Sequence, residues 1–492
     1  MIGDTIPSGR LFPGRQSGGR PLGRRAMLRV SATGLAGLAG LAAPSASAAL
    51  PGGKGRAQST ILFFLCGGSS HVDMWDMKPA APAEYRGEFR PVATTAPGLA
   101  ICEHLPLTAK QGHHLALVHG VTDSGLATGD HHAGYYFNLT GHAPDNTFRS
   151  MGNDRRPMVS DWPHMACVVG ARRPLHPSLP QTITLPYRPS KPPYTRPGQF
   201  AGRLGLEHDP FFLEGSFTDP MRFTVPDLSV DAAGAGRLAD RRGLLDSLNR
   251  VRRDLDREVA VGNYTRQQER TFELLAASST AGAFDIHREP EAVRALYGPS
   301  INGTSLLMAR RLVEAGVPYI TVFWSEEDEV VSKKCASGGG WDTHANNFNC
   351  LRDNLLPEFD RAFAGLVADL ADRGLLDSTL LLVSSEMGRK PKIGDPRSGG
   401  PGGAGRDHWT ACMSVVMAGG GVRGGTVHGR TDPRGEYPEE KVTPADVVKT
   451  VYTAMGIDDL EASDSLGRPY SLLDEGRVLP ILERPLERGQ PG

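Results

Sequence analysis

Short, continuous apolar runs punctuate this chain, and each ends in glycines or small polar residues. Residues 59–65 (STILFFL), 317–324 (VPYITVFW), 378–385 (STLLLVSS) and 413–418 (MSVVMA) do not alternate between apolar and polar positions. That pattern predicts strands covered on both faces. Between the second and third runs, Leu351, Leu355, Leu356, Phe359, Phe363, Leu366, Val367 and Leu370 recur at helical spacing, and Gly374 stands where a C-terminal cap belongs. Strand, helix and strand in this order make a βαβ unit, so the pattern predicts an α/β fold with a mostly parallel sheet.

The weaker signals fit around that frame. Residues 114–119 (HLALVH) read as another strand, 87–102 as a hairpin turning at Pro97-Gly98, and 422–429 as an edge strand. Helices are expected over 305–315, over 444–455, within 237–277, and in a stretch running to Leu139 that carries His131 and His132. Residues from about 172 to 236 open with Pro, Gly and aromatic residues of little period, which predicts a long surface insertion forming a lid or wall.

Composition narrows the function. Lys plus Arg number 54 against 55 Asp plus Glu, a formal net charge of −1, so the chain lacks the basic footprint of a nucleic-acid or acidic-membrane binder. The first 49 residues stand apart. Arg24-Arg25, a short Gly/Ala/Leu run over 30–43 and an Ala-x-Ala site at Ala46 and Ala48 form a twin-arginine export signal, cleaved after Ala48 or Ala49. The run is too short and glycine-rich for a stable membrane span. The expected destination is the periplasm or another exported location, and the partner is the twin-arginine export machinery. Residues 58–480 then form a single domain. Of the six cysteines, Cys335 and Cys350 flank the 338–344 loop, a placement open to a disulfide that would pin it.

Candidate chemistry collects where the apolar runs end. The first delivers Ser69, Ser70, His71, Asp73 and Asp76, the second Asp342 and His344, and the third Glu386, Met387 and Arg389. Arg406 and His408 precede the fourth. In an open parallel sheet the loops beyond the carboxyl ends of strands meet along one edge, so these clusters are expected to converge. His, Asp and Glu together are metal ligands, and mixed nitrogen and oxygen donors suit zinc, manganese or iron. His71 and Asp73, at i and i+2, share a face on an extended segment. Arg389 and Arg406 are candidates to fork onto ester oxygens, with surface ion pairs as the other reading.

The motifs GGSSHVDMWDMKP, GGGWDTH, SSEMGR and GRDHW, in this order behind a twin-arginine leader, resemble the bacterial family catalogued as domain of unknown function 1501. That family is grouped with the alkaline phosphatase and sulfatase superfamily. The resemblance implies an alkaline-phosphatase-like three-layer α/β sandwich with a two-metal site at the carboxyl edge of the sheet. It implies that Asp342, His344 and His408 complete one metal site. Glu386 stands where the superfamily usually has Asp, and Met387 stands where it usually has His. That exchange leaves one or two ions per chain open and makes His71 the nearest replacement ligand. The loop after the first strand is implied to supply a carboxylate, Asp73 or Asp76, and a nucleophile, Ser70, with Ser69 or a metal-bound water as alternatives. Cys66-Gly67-Gly68-Ser69-Ser70 lacks the Pro and Arg that sulfatases need for formylglycine conversion. The function so implied is an exported metal-dependent hydrolase of small-molecule or polysaccharide phosphate or sulfate esters. The alternative is a catalytically degenerate surface or carbohydrate-binding protein of the same fold.

Overall fold

A computed structural model describes residues 55–190, 195–224, 282–324, 340–394, 405–463 and 467–483. Every described residue belongs to one compact unit within 49–492. The leader and the helices expected within 237–277 lie outside the described residues.

Eight strands form the central sheet: β1 (Ser59–Phe64), β2 (Leu115–Val121), β3 (Thr182–Leu185), β4 (Phe211–Phe212), β5 (Tyr319–Phe323), β6 (Thr379–Ser384), β7 (Met413–Ala418) and β8 (Thr426–His428). Their order is β8-β2-β7-β6-β1-β5-β3-β4. β1 lies near the middle, parallel to β6 on one side and β5 on the other, with Phe63 opposite Val383 and Val322. The thin edges carry the shortest strands, which limits the unpaired backbone offered to other chains.

The continuous apolar runs are explained by what covers each face. Five helices matter here: α1 (His131–Thr140), α2 (Met165–Arg172), α3 (Ile301–Glu314), α4 (Leu356–Asp372) and α5 (Pro444–Ala454). Ile61, Phe63 and Leu65 pack into one core with Leu306 of α3 and Phe359 of α4. Leu62, Phe64 and Cys66 pack into another with Leu139 of α1, Val169 of α2 and Val451 of α5. The layers are therefore helix, sheet, helix. The rings of Phe63 and Phe359 stack 5.8 Å apart at 2°, and burying each such side chain stabilises the fold by about 1.5–3 kcal/mol.

Two departures from the sequence reading bear on the site. β7 runs antiparallel to both β6 and β2, whereas the other neighbours are parallel. A reversed strand brings its amino end to the edge where its neighbours end, so the residues before β7 join those after β1, β5 and β6. The stretch expected as surface insertion also contributes β3 and β4, because strands of four and two residues are too short to show a period. The hairpin at Pro97-Gly98 and the edge strand within 422–429 form as expected. Among the described residues, no helix is long and apolar enough to cross a membrane.

Candidate metal centre

Five segments meet at this edge. The turn after β1, residues 340–344 beyond β5, residues 385–389 after β6 and residues 405–409 before β7 arrive from the sheet, and the start of α1 arrives after β2. Two glycines permit the approach. A Cβ on Gly134 of α1 would overlap the carbonyl oxygen of Glu386, and one on Gly405 would overlap that of His344.

Asp342 is the hub. Its Oδ1 lies 3.0 Å from His344 Nε2 and 3.2 Å from His408 Nε2, and its Oδ2 lies 3.4 Å from His131 Nε2. The two nitrogens His344 Nε2 and His408 Nε2 are themselves 3.1 Å apart. Ligand atoms of His131, Asp342 and His408 all fall within 4.8 Å of one another. Donors about 2.05 Å from a tetrahedral ion stand about 3.3 Å from each other, and most of the separations here sit near that value.

The far nitrogens of the three rings fix which way they face. His408 Nδ1 lies 2.9 Å from Gly129 O, His344 Nδ1 3.3 Å from Asp407 Oδ1, and His131 Nδ1 2.8 Å from Glu386 Oε1. Carbonyls and carboxylates only accept, so a proton on each Nδ1 satisfies these contacts, while each Nε2 turns toward Asp342. Outer partners of this kind are what orient metal-ligating imidazoles.

Glu386 is completely buried at its side chain and belongs to that outer ring. Oε1 also accepts the Gly67 N–H at 2.8 Å, and Ser385 Oγ lies 3.1 Å from Oε2. Burial opposes its charge, but His131 and the Arg196 guanidinium outweigh that and hold its pKa below the ordinary glutamate value. Burial likewise works against charge on Asp342, yet hydrogen bonds from His131, His344 and His408, with Arg389 beside it, hold its carboxyl far below the usual range. His131 moves the other way: burial disfavours its cation, and Asp342 and Glu386 raise it above the ordinary histidine value all the same.

The other residues singled out from the sequence serve structural contacts, and among them Arg389 alone touches the Asp342 group. Arg389 is buried and donates to Gly67 O at 2.7 Å, Gly68 O at 3.0 Å and Trp341 O at 3.2 Å while pairing with Asp342. It ties three loops together. Arg406 is forked onto Asp73 at 2.7 and 2.9 Å, and Asp73 also accepts from Ser70 Oγ at 2.6 Å and Asn347 Nδ2 at 3.0 Å. Ser70 and Asp73 are buried within that network, 1% and 0% exposed. His71 is buried, its Nε2 donates to Gly435 O at 2.8 Å, and it does not join the Asp342 group. Burial pushes its pKa down. Asp76 pairs with Lys78 at 2.8 Å and accepts from Thr431. Met387 packs in the interior, and His132 Nδ1 turns to Arg155 O at 2.8 Å.

The structure thus brings Asp342, His344, Glu386 and His408 together and adds His131. The signal for His131 was present: a strand, then Gly125 and Gly129, then Asp130, whose side chain caps α1 by accepting Ala133 N–H at 3.0 Å. That is the same strand, glycine and ligand order seen at the other segments. Asp407, next to a recognised ligand, carried no separate signal.

Solved structures similar to this chain include a sulfatase from Pseudoalteromonas sp. (13% identity, 82% of this chain and 68% of that one, TM-score 0.37). They also include a phosphonate monoester hydrolase from Silicibacter pomeroyi (12%, 81% and 75%, TM-score 0.34). A third is an alkaline phosphatase from the Antarctic bacterium TAB5 (8%, 82% and 99%, TM-score 0.31). No curated protein matches the sequence. The family described as "Protein of unknown function (DUF1501)" matches residues 57–482, and this chain belongs to it.

Proposed function

We propose that this protein is an exported, metal-dependent hydrolase of phosphate or sulfate esters. The observation that carries the reading is the orientation of three imidazoles: His131, His344 and His408 each hold Nδ1 on an acceptor and turn Nε2 toward Asp342. Asp342, His131, His344 and His408 would hold one divalent ion, zinc, manganese or iron. A metal bound there supplies charge neutralisation for the ester oxygens and a lowered pKa for water. Glu386 keeps the proton on His131 Nδ1, and Asp407 and Gly129 O do the same for the other two rings. Arg389 offsets the charge of Asp342 and fixes its position. The side chains of His344 and His408 remain 25% and 23% exposed, so the cluster opens to substrate.

Ser70 is enclosed and hydrogen-bonded to Asp73, which favours water over Ser70 as the attacking group. Glu386 is committed to His131, which favours one ion per chain over two. Export is supported by the leader and by the disulfide bond at Cys350, since disulfides persist in oxidising compartments. Cys335 lies outside the described residues. The burial of Ser70 and the methionine at position 387 also favour, as a second reading, a degenerate binding protein that keeps the metal and lacks turnover.

Metal analysis of exported protein, followed by a panel of phosphate, phosphonate and sulfate esters, tests both. The expected result is close to one transition-metal ion per chain and turnover abolished by a chelator. Bound metal without turnover selects the second reading. Protein that takes up no zinc, manganese or iron overturns the metal centre itself.

A further inference from the structure

Arg389 and Arg406, the two arginines expected to grip an ester, have their donors occupied by backbone carbonyls, Asp342 and Asp73. A third arginine reaches the same edge from the loop after β3. That loop packs on α1 so closely that a Cβ on Gly198 would stand 2.8 Å from the Cα of Tyr136. The packing lays the Arg196 guanidinium over the Tyr135 ring, 4.8 Å from its centroid. Tyr135 is one helical turn beyond His131, so the two side chains leave α1 on one face.

Arg196 has five N–H donors to place. Its backbone is engaged, with N–H facing Pro189 O at 3.5 Å and its carbonyl accepting from Gln199 Nε2 at 2.8 Å. Among the described residues, no carboxylate or carbonyl meets the guanidinium. Glu386 is near enough to feel its charge without pairing to it, and Cys66 and Tyr187 flank it. The residue as a whole keeps part of its surface exposed. The arrangement is a cation held flat on an aromatic ring, with its fork unused, beside a cluster of metal-ligating groups.

We infer that Arg196 is the anion-recognition residue of this site, forking onto two oxygens of a tetrahedral phosphate or sulfate group while Tyr135 fixes the guanidinium plane. The inference rests on the proposed hydrolase reading and names the part of the substrate that it would recognise: a monoester bearing at least two unesterified oxygens.

The test uses inorganic phosphate and sulfate as probes, with binding measured by calorimetry and by thermal shift on the full exported chain. Arg196→Gln should weaken phosphate binding by about tenfold or more, as expected for loss of a charged fork. Arg196→Lys, which keeps the charge and loses the fork, should fall between that variant and the wild type. Metal content should be unchanged in both, because Arg196 is not among the candidate ligands. Phosphate affinity within twofold of the wild type in Arg196→Gln overturns the assignment, as does the same result in Arg196→Lys should the glutamine variant not fold. A wild-type chain that binds neither anion also overturns it. If phosphate binding depends on Arg196 in a chain that takes up no metal, the hydrolase reading fails and the anion site stands.

Discussion

His131 Nδ1 lies 2.8 Å from Glu386 Oε1, joining the start of α1 to the carboxylate that leaves β6. This contact settles what stands beside Glu386 where Met387 offers no imidazole: the neighbouring histidine comes from α1, and His71 faces Gly435 instead. His131→Ala should therefore lose most of the bound metal, while His71→Ala should keep it. Glu386→Gln removes the acceptor charge that orients the ring, and outer-ring changes of this kind weaken metal binding by about 10–100-fold. Metal stoichiometry across the three variants is the measurement. Loss in His71→Ala with retention in His131→Ala would reverse the assignment.

His344→Ala and His408→Ala should lose metal and thermal stability together, because an ion that binds only the folded chain stabilises it by mass action. At a free metal concentration about a hundredfold above Kd that contribution is about 2.7 kcal/mol. Melting curves with and without chelator separate the effects. The wild type should drop on chelation, and the variants should start low and move little. Variants with wild-type metal content and melting temperature would show that the cluster is a hydrogen-bonded network and nothing more.

Much of this site was legible because the candidate ligands follow strands whose apolar runs are unmistakable. Asp342, Glu386 and the run that precedes each could be placed on one edge from pattern alone. His408 was assigned to that edge on the assumption of a parallel strand. It arrives there because β7 is reversed, a property set by pairing partners that local sequence does not encode. Asp73, Arg406 and Arg389 occupy the same kind of loop position as the candidate ligands, and only burial and contact geometry separate an interior ion pair from a site residue. Arg196 lay in a Pro-rich stretch whose short strand shows no period, so nothing local tied it to Tyr135.

The Asp73–Arg406 pair makes that distinction measurable. Both side chains are fully buried, and removing one partner leaves the other charge without compensation. Asp73→Ala should cost about 3–5 kcal/mol in denaturant unfolding, with metal stoichiometry of the folded protein unchanged. A ligand role for Asp73 predicts the opposite, loss of metal with modest loss of stability.

Export is tested at the leader. Replacing Arg24-Arg25 by Lys-Lys should leave full-length precursor in the cytoplasm, since the paired arginines are what the export machinery reads. Fractionation with an antibody to the folded unit reports the outcome. Unchanged export of that variant would remove the twin-arginine assignment while leaving the metal centre untouched.

Acid stability is set in part by His164, which precedes α2 with its side chain enclosed and neither ring nitrogen hydrogen-bonded. Burial alone pushes its pKa down to about 3 from the ordinary 6.5. The unfolded chain therefore takes up a proton near pH 6.5 that the folded chain refuses, so the neutral ring's contribution is complete above that pH and drains away as pH falls toward 3. His119, buried beside Ser414 and pushed down to about 4, acts in the same direction. At about 1.4 kcal/mol per pH unit, His164 should make the protein about 2–3 kcal/mol less stable at pH 4.5 than at pH 7.5. Urea unfolding of chelated protein at the two pH values, compared with His164→Leu, isolates this contribution because the remaining titrating groups are common to both chains. The leucine variant should lose less stability on acidification by that amount. An identical pH dependence in the two proteins would show that the ring is protonated, and accommodated, in the folded state.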